Sequence, residues 1–119
     1  MITGVHSVLI WTEELQRLVP FYRDVLGLKP EMESEGFVIF QSSSGPQLAL
    51  GAHSEVKGRS RDPNRVMVDF TVDDCQAEYE RLHGQGVEFV RTPGKEENGV
   101  TIATFLDPDG NMLQLFQEG

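Results

Sequence analysis

The stretch DPDGNMLQLFQ, residues 107–117, joins a tight turn to a strand and places a polar amide, Gln114, among apolar neighbours. Side chains on a strand alternate between its two faces, so Met112, Gln114 and Phe116 are predicted to share one face. The intervening leucines lie on the other face, which they make apolar. A mixed face inside a small protein is where ligands are commonly held. This strand therefore indicates both a sheet and a candidate binding surface.

The composition limits the classes of protein to which the chain can belong. Its 119 residues, 39% of them hydrophobic, suit one compact domain with a real core. A net charge of −9 argues against a nucleic-acid partner, because binding to phosphates needs a basic surface. The start, MITGVHSVLIW, has too short an apolar run for a secretory signal or a membrane span. Cys75 is the only cysteine, so an internal disulfide is excluded and a reducing cytoplasm is the expected location.

The first half of the chain alternates strands with one interrupted helix. Strands are predicted at about residues 5–11, 36–41 and 46–51. Thr12 is expected to be the N-cap of the helix. Pro20 does not suit a helix interior, so we predict a first turn at 13–18 and a second helical start near Pro20. The helix should end at Gly27, which suits a position with positive φ.

The second half repeats this order after a polar stretch. Residues 52–64 lack periodicity and are interpreted as a linker or mobile arm, and residues 92–99 as a flexible rim. Strands are predicted at 65–72, 86–90, 99–106 and 112–117. Between the first two, Asp73 with Gln76 resembles a capping box, and the spacing of Cys75, Tyr79 and Leu82 predicts an amphipathic helix. Cys75 itself is interpreted as a small, half-buried hydrophobe.

The two halves align as copies of one βαβββ unit. His6 aligns with Met67, 61 positions later, and Ala49 aligns with Gln114, 65 positions later. The predicted fold class is α+β, with module one at about 1–58 and module two at about 64–119. Neither half is long enough to bury a sufficient core alone, so we expect both to pack as a single domain, 1–119.

Four features of the chain together resemble the vicinal oxygen chelate superfamily, which includes glyoxalase I, bleomycin-resistance proteins and extradiol dioxygenases. These are a histidine on the first strand, FYRDVLGL at 21–28, VDD at 72–74 before a helix, and FLDPDGNMLQLF at 105–116. The similarity runs almost end to end. It implies two tandem βαβββ modules whose mixed sheet forms a cup around a ligand or a metal. It also implies a homodimer, because relatives commonly pair.

In metal-using members of that superfamily, four inward positions supply ligands. Transferred to this sequence, they are His6, Ala49, Met67 and Gln114. Only His6 is a good ligand, since Ala49 has no donor atom, Met67 is a soft thioether, and Gln114 stands where the family usually has glutamate. We therefore expect the usual metal centre, and any other cofactor, to be absent. As an alternative, Asp69 could join His6 and Gln114 in a three-ligand site for a divalent metal.

Three functions remain open at this stage. The first is a metal-independent member that binds a small organic molecule in the cup. Its expected lining is His6, Val8, Asp69, Thr71, Met112, Gln114 and Phe116. The second is an enzyme, either a lyase, isomerase or dioxygenase with a divalent ion on His6, Asp69 and Gln114, or a metal-free variant with His6 as general base. The third is a non-catalytic dimeric module.

Two other features admit more than one interpretation. A basic run in this acidic chain consists of Lys57, Arg59, Arg61 and Arg65. Such a run is usually a solvated loop, but it could also fold over the cup and grip an anionic ligand. Trp11 ends the first strand on the face opposite His6. It is interpreted as a packing or interface residue more readily than as a stacking platform.

Overall fold

The computed structural model describes all residues, 1–119, and has the α+β architecture that the sequence predicts. The chain forms two compact units, Met1–Gly58 and Arg59–Gly119. Each unit consists of a strand, a helical segment and three further strands, so the predicted duplication of a βαβββ module is confirmed. We call the units module one and module two. Whether they form one domain remains a prediction.

Module one is a four-stranded mixed sheet with one helical segment. Its elements are β1 (Ser7–Thr12), α1 (Leu15–Pro20), β2 (Pro30–Glu33), β3 (Phe37–Phe40) and β4 (Gln47–Ala52). The strand order is β1-β4-β3-β2, in which only the β1–β4 pair is parallel. Strand β2 was not predicted from the sequence, because Pro-Glu-Met-Glu lacks β propensity. Its place at the sheet edge allows Pro30 as the first residue.

The helical segment passes through Pro20 without a break, which corrects the prediction of two separate helical pieces. The α-helix ends at Pro20 and continues directly as a π-helical segment, Phe21–Val25. Proline has no N–H to donate within a helix, and a local widening of the hydrogen-bond pattern accommodates it. The Leu26 N–H accordingly donates to the Phe21 carbonyl at 2.9 Å. Gly27 follows with φ of 83°, as predicted for the helix end.

The start of α1 also differs from the prediction at Thr12. The N-cap position is Glu14, whose side chain makes no capping hydrogen bond. The Thr12 hydroxyl instead accepts a hydrogen bond from the Glu14 N–H at 3.1 Å. Thr12 still satisfies one free backbone donor at the helix start, although it lies two residues ahead of the N-cap.

The helical segment of module one covers one face of its sheet. Tyr22 is fully buried, and its ring lies 6.4 Å from that of Phe40. Val38 shares the face of Phe40 by alternation and pairs with Leu50, which in turn pairs with Ile10. This face therefore forms the apolar core of module one. The opposite face of the sheet, which we call open face one, carries the odd-numbered residues of β1 and β4.

Module two repeats this topology. Its elements are β5 (Val68–Thr71), α2 (Cys75–Gly84), β6 (Phe89–Lys95), β7 (Thr101–Leu106) and β8 (Met112–Gln117). The order is β5-β8-β7-β6, with β5 and β8 parallel. The pairing of β6 with β7 shifts register twice. Residues 92–95, predicted as part of a flexible rim, therefore belong to a bulged edge strand, because bulges extend pairing through Pro93 and Gly94.

Helix α2 begins one residue later than the capping box implied. Asp74, rather than Asp73, is the N-cap, and its carboxylate accepts a hydrogen bond from the Ala77 N–H at 3.1 Å. The Cys75 N–H donates to the side-chain oxygen of Gln117 at 2.7 Å, which ties the helix start to the end of β8. Cys75 is completely buried rather than half-buried. Burial raises the pKa of its thiol, and the nearby Asp74 carboxylate raises it further.

An aromatic cluster fills the helix-covered face of the second sheet. The ring of Tyr79 on α2 meets that of Phe89 edge-on at 4.7 Å, and Phe89 lies 5.3 Å from Phe105. Phe105 and Leu82 are almost fully buried. The predicted apolar stripe of α2 is therefore confirmed. Because these residues occupy one face of the sheet, the other face of the second sheet, open face two, is free of the helix.

The turn between β7 and β8 is organised by one buried carboxylate. Asp107 is 3% exposed, and its Oδ1 accepts hydrogen bonds from the N–H groups of Asp109 and Asn111, each at 2.9 Å. Its Oδ2 accepts from the Asn111 side-chain amide at 2.9 Å. Gly110 completes the turn with φ of 77°. The turn DPDGN at residues 107–111 thus sets the direction in which β8 begins.

Candidate functional site

Open face two carries a row of three polar side chains across three strands. Gln114 on β8 pairs with Asp69 on β5 and with Thr104 on β7. Residues that pair directly across a sheet point to the same face. Five of the predicted ligand-contacting residues lie on this face: Asp69, Thr71, Met112, Gln114 and Phe116. The grouping that alternation predicted within module two therefore matches the register of the strands.

Hydrogen bonds join the three side chains into one chain. The Gln114 Nε2 amide donates to Asp69 Oδ1 at 3.1 Å, and the Thr104 hydroxyl donates to Gln114 Oε1 at 3.2 Å. A carboxylate only accepts hydrogen bonds, so the NH2 end of the amide must face Asp69 and the oxygen must face Thr104. The Gln114 amide therefore orients Asp69, and Thr104 orients Gln114.

The carboxylate of Asp69 is exposed and forms no salt bridge. The nearest basic residue in the same row is Arg91, which pairs with Thr104 in the sheet, but its guanidinium is held by Glu96 at 3.0 Å. Asp69 therefore keeps its negative charge uncompensated, with one oxygen bound by Gln114. An oriented, uncompensated carboxylate beside apolar Met112 and Phe116 can accept hydrogen bonds from, or pair with, a polar group of a ligand.

Thr104, the third member of the row, was not among the site residues predicted from the sequence. Thr104 is 6% exposed and lies in the strand TIATFL, where the two residues before it and the two after it are all apolar. That isolated hydroxyl was a signal of a buried hydrogen bond, since buried hydroxyl groups find partners. Its partner could not be found from the sequence, because the register between β7 and β8 was unknown.

The predicted contacts of His6 and Val8 are not supported by the strand register. Leu9 pairs with Ala49, and Asp69 pairs with Gln114. Ala49 and Gln114 occupy equivalent positions in the two modules, so their partners Leu9 and Asp69 are also equivalent and lie 60 positions apart. The alignment made from the sequence used a spacing of 61 positions for the first strand, which is one residue too many.

This one-residue difference removes His6 and Val8 from open face one, which is the counterpart of open face two in module one. Ser7, rather than His6, becomes the counterpart of Met67, and His6 lies exposed just before β1. Val8 pairs with Leu48 and belongs to the helix-covered face of its sheet. A shift of one residue exchanges the faces of a strand, which is why both assignments changed together.

Comparison with known proteins places this architecture in a family. The family profile described as "Glyoxalase/Bleomycin resistance protein/Dioxygenase superfamily" matches residues 4–115. The chain belongs to this superfamily. The uncharacterized protein YraH of Bacillus subtilis (strain 168) is 24% identical over 125 residues, covering 93% of this chain and 95% of YraH. The resemblance stated from the sequence is thus confirmed.

Solved structures of other superfamily proteins share the fold. A glyoxalase-related enzyme from Fulvimarina pelagi has a TM-score of 0.80 at 20% identity, over 98% of this chain and 89% of that chain. A lactoylglutathione lyase from Agrobacterium tumefaciens has a TM-score of 0.74 at 20% identity, over 98% and 94% of the two chains. At this level of identity the likeness establishes the fold alone.

The residues present do not fit the metal centre that the superfamily implies. No three His, Cys, Asp or Glu side chains lie close enough together to hold an ion. The only coordinating atom of Gln114, its Oε1, is neutral and shares its electron pairs with the Thr104 hydroxyl, and Ala49 offers no donor. A divalent ion needs several anionic or imidazole ligands. One exposed carboxylate and one neutral amide oxygen are too few to hold a divalent ion.

Three of the four cations in the basic run contact the chain itself, and only Arg61 makes no such contact, which argues against a grip of Lys57, Arg59 and Arg65 on an anionic ligand. Lys57 lies 3.7 Å from a Glu13 oxygen, and Arg65 pairs with Asp62 at 2.9 Å. Arg59 donates to the Pro108 carbonyl at 3.4 Å, and its guanidinium lies against Gly110. The arm is therefore attached to neighbouring segments, since each of these three cations already has a partner. None of the helices is both long and apolar enough to cross a bilayer.

Proposed function

We propose that this chain binds a small organic molecule on open face two and does so without the superfamily's metal centre. The supporting observation is the amide of Gln114, hydrogen-bonded on both sides where the family resemblance places a glutamate ligand. That arrangement uses the amide to orient Asp69 rather than to coordinate an ion.

The chemistry of the row suits recognition. Open face two combines apolar area from the partly exposed Phe116 with an oriented acceptor, Asp69, while Met112 on the same face is buried. Small-molecule sites combine mostly apolar walls with a few placed polar groups. Because the Gln114 amide is already held on both sides, its orientation costs no further ordering when a ligand arrives.

Metal analysis of the purified protein is the first test of this proposal. Elemental analysis after addition of Mn, Fe, Ni and Zn should give below about a tenth of an equivalent of each, because too few donors converge. Native mass spectrometry of the protein as isolated should show a retained organic molecule or the bare chain. Stoichiometric metal that survives dialysis would refute the proposal.

A thermal-shift screen of small organic compounds then tests the location of the site. Gln114→Met removes both hydrogen bonds at similar volume, and Gln16→Met is the matched control on an exposed helix position. Compounds that raise the Tm of the wild type and the control should lose most of that effect with Gln114→Met. Asp69 then loses the amide that orients its carboxylate, and a ligand that loses its hydrogen bond to Asp69 should bind about 1.4 kcal/mol, or roughly tenfold, more weakly. If every stabilising compound acts equally on all three proteins, the site lies elsewhere.

We also propose that the protein is a homodimer in a reducing cytoplasm. Large apolar side chains are exposed at both edges of the second sheet: Val66 (73%) and Met67 (42%) precede β5, and Val90 (56%) lies in β6. Covering such side chains favours association. The single free cysteine supports a reducing compartment. Light scattering at micromolar concentration should give the mass of two chains, and a monomer would contradict the proposed assembly.

A further inference from the structure

The tight loop between β6 and β7 contains the one Asn-Gly pair of the chain. Asn98 is followed by Gly99, whereas the other two asparagines, Asn64 and Asn111, are followed by arginine and methionine. Glycine has no side chain, so its backbone nitrogen can approach the amide of a preceding asparagine with the least steric hindrance. Whether Asn98 and Gly99 can react with each other therefore depends on the geometry of the folded loop.

The loop holds Asn98 in a defined conformation that solvent can reach. The Glu96 N–H donates to the Val100 carbonyl at 2.7 Å, and the Gly99 N–H donates to the Glu96 carbonyl at 3.0 Å. Residues 97–99 therefore close the hairpin, and Gly99 adopts the left-handed conformation, with φ of 91°. The Asn98 side chain is exposed. Water thus reaches an asparagine whose backbone is fixed by the hairpin.

The side-chain oxygen of Asn98 faces a backbone donor. Asn98 Oδ1 accepts a hydrogen bond from the Val100 N–H at 3.1 Å, while its Nδ2 makes no hydrogen bond within the chain. When a nucleophile adds to the side-chain carbon Cγ, negative charge develops on Oδ1. A backbone N–H aimed at that oxygen stabilises the charge, as donors do in an oxyanion hole. The same hydrogen bond spans Gly99, so it also orients the amide beside the nitrogen that would attack it.

We propose that Asn98 is a site of spontaneous deamidation in the folded protein. The Gly99 nitrogen loses its proton to solvent hydroxide and bonds to Asn98 Cγ. The bond from Cγ to Nδ2 then breaks, and the nitrogen leaves as ammonia with a proton from water. The product is a cyclic imide, in which the Gly99 nitrogen is bonded to two carbonyl carbons. Water opens this ring at Cγ to give aspartate, or at the backbone carbonyl carbon to give isoaspartate.

One hydrogen bond of the loop opposes this reaction. The Gly99 N–H is held by the Glu96 carbonyl, and that bond must break before the nitrogen loses its proton. Breaking it slows the reaction about fivefold, whereas the donor at Asn98 Oδ1 accelerates it. The folded loop should therefore react within about tenfold of the rate of the unfolded chain. This modification goes beyond the binding function proposed for open face two and does not depend on it.

Either product changes the end of the hairpin. A neutral amide becomes a carboxylate beside Glu96 and Glu97, in a chain whose net charge is already −9. Isoaspartate also carries the main chain through its Cβ, which lengthens the loop by one methylene. The pairing of Glu96 with Val100 cannot be kept in a lengthened loop, because the length of a hairpin loop fixes the register of its strands. Amide exchange at Val100 should therefore accelerate in the isoaspartate form.

Peptide mapping by mass spectrometry, combined with an isoaspartate methyltransferase assay, tests the proposal on purified protein incubated at pH 7 and pH 8. Asn98 should convert at least about tenfold faster than Asn64 and Asn111, with release of ammonia and a higher rate at pH 8. The Asn111 amide, by contrast, is held by Asp107 at 2.9 Å. Asn98→Gln should abolish the isoaspartate signal, because glutamine would have to close a larger ring. Asn64→Gln is the matched control at an exposed position and should leave the signal unchanged.

A destabilised variant separates reaction in the folded loop from reaction through the unfolded chain. Asp74→Ala removes the N-cap of α2 and should raise the unfolded fraction about fivefold. The conversion rate of Asn98 should be the same in this variant as in the wild type, because the folded loop reacts. A rate that rises about fivefold with the unfolded fraction would overturn the proposal. Conversion of Asn98 that is no faster than that of Asn64 would also overturn it.

Discussion

Replacing Gln114 by glutamate is the most informative single change in this protein. In the native row the Gln114 amide donates to Asp69 Oδ1 at 3.1 Å. Gln114→Glu removes that donor and sets two carboxylates face to face at about the same distance. The Thr104 hydroxyl can still donate to the new group. The change therefore isolates the Asp69 contact, with almost no change in side-chain volume.

The expected cost follows from two contributions. The lost hydrogen bond accounts for about 1 kcal/mol. Two unit charges 3–4 Å apart repel by about 1 kcal/mol in a water-like environment and by about 4 kcal/mol near a less polar surface. Asp69 is exposed, so the lower value applies and the free energy of unfolding should fall by about 2 kcal/mol. In urea this is a midpoint shift of about 1 M for a domain of this size.

The pH dependence of this loss has a definite sign. The carboxylate of Asp69 raises the folded-state pKa of the introduced carboxyl group above its unfolded value of about 4.3. The repulsion is therefore absent below about pH 4.3 and grows as the pH rises through the raised folded pKa. Urea unfolding at pH 4 and pH 7.5, with EDTA present, should show a much smaller difference from wild type at the lower pH.

A double variant supplies the control. Adding Asp69→Asn to Gln114→Glu reverses donor and acceptor, because the new amide can donate to the new carboxylate, and the total charge of the row returns to its native value. Stability should recover by most of the roughly 2 kcal/mol, as a coupling energy between the two positions. The proposed contact between Gln114 and Asp69 is refuted if Gln114→Glu has the same urea midpoint as the wild type at pH 7.5. It is also refuted if the double variant recovers no stability.

Three further predictions concern the structural framework of module two. Asp74→Ala should lower the free energy of unfolding by about 1 kcal/mol, through loss of the N-cap, while Asp73→Ala should leave it nearly unchanged in the same urea experiment. Asp107→Ala should cost about 3 kcal/mol, at about 1 kcal/mol for each of its three hydrogen bonds, and equal thermal unfolding of variant and wild type would contradict this. The raised folded pKa of Cys75 means that stability should decline as the pH rises past the ordinary thiol value of 9.0, and this part of the decline should vanish in Cys75→Ala.

The sequence by itself determined the repeated module and most of its elements. The period-two pattern of MLQLFQ placed Gln114 with Met112 and Phe116, and the spacing of Cys75 and Leu82 identified the buried side of α2. Each of these depends only on residues a few positions apart along one strand or helix. Periodicity and local capping are sufficient for such inferences.

The sequence was insufficient wherever local rules competed. Pro20 predicted a broken helix, but burial of Leu18 and Tyr22 on either side favours a continuous segment with a π-helical turn. Pro30 and the acidic residues of β2 concealed an edge strand that pairing with β3 stabilises. In both cases tertiary packing outweighs a propensity of a few kcal/mol or less.

Only the tertiary structure decided which residues form the candidate sites. Thr104, Gln114 and Asp69 meet through a register among three strands that no spacing within one strand reveals. The same register moved the alignment of β1 by one residue and removed His6 from the face to which the sequence had assigned it. Because neighbouring residues on a strand point to opposite faces, a shift of one position exchanges a binding surface for a core. The alternation within a strand is local, whereas the pairing between strands depends on the whole fold.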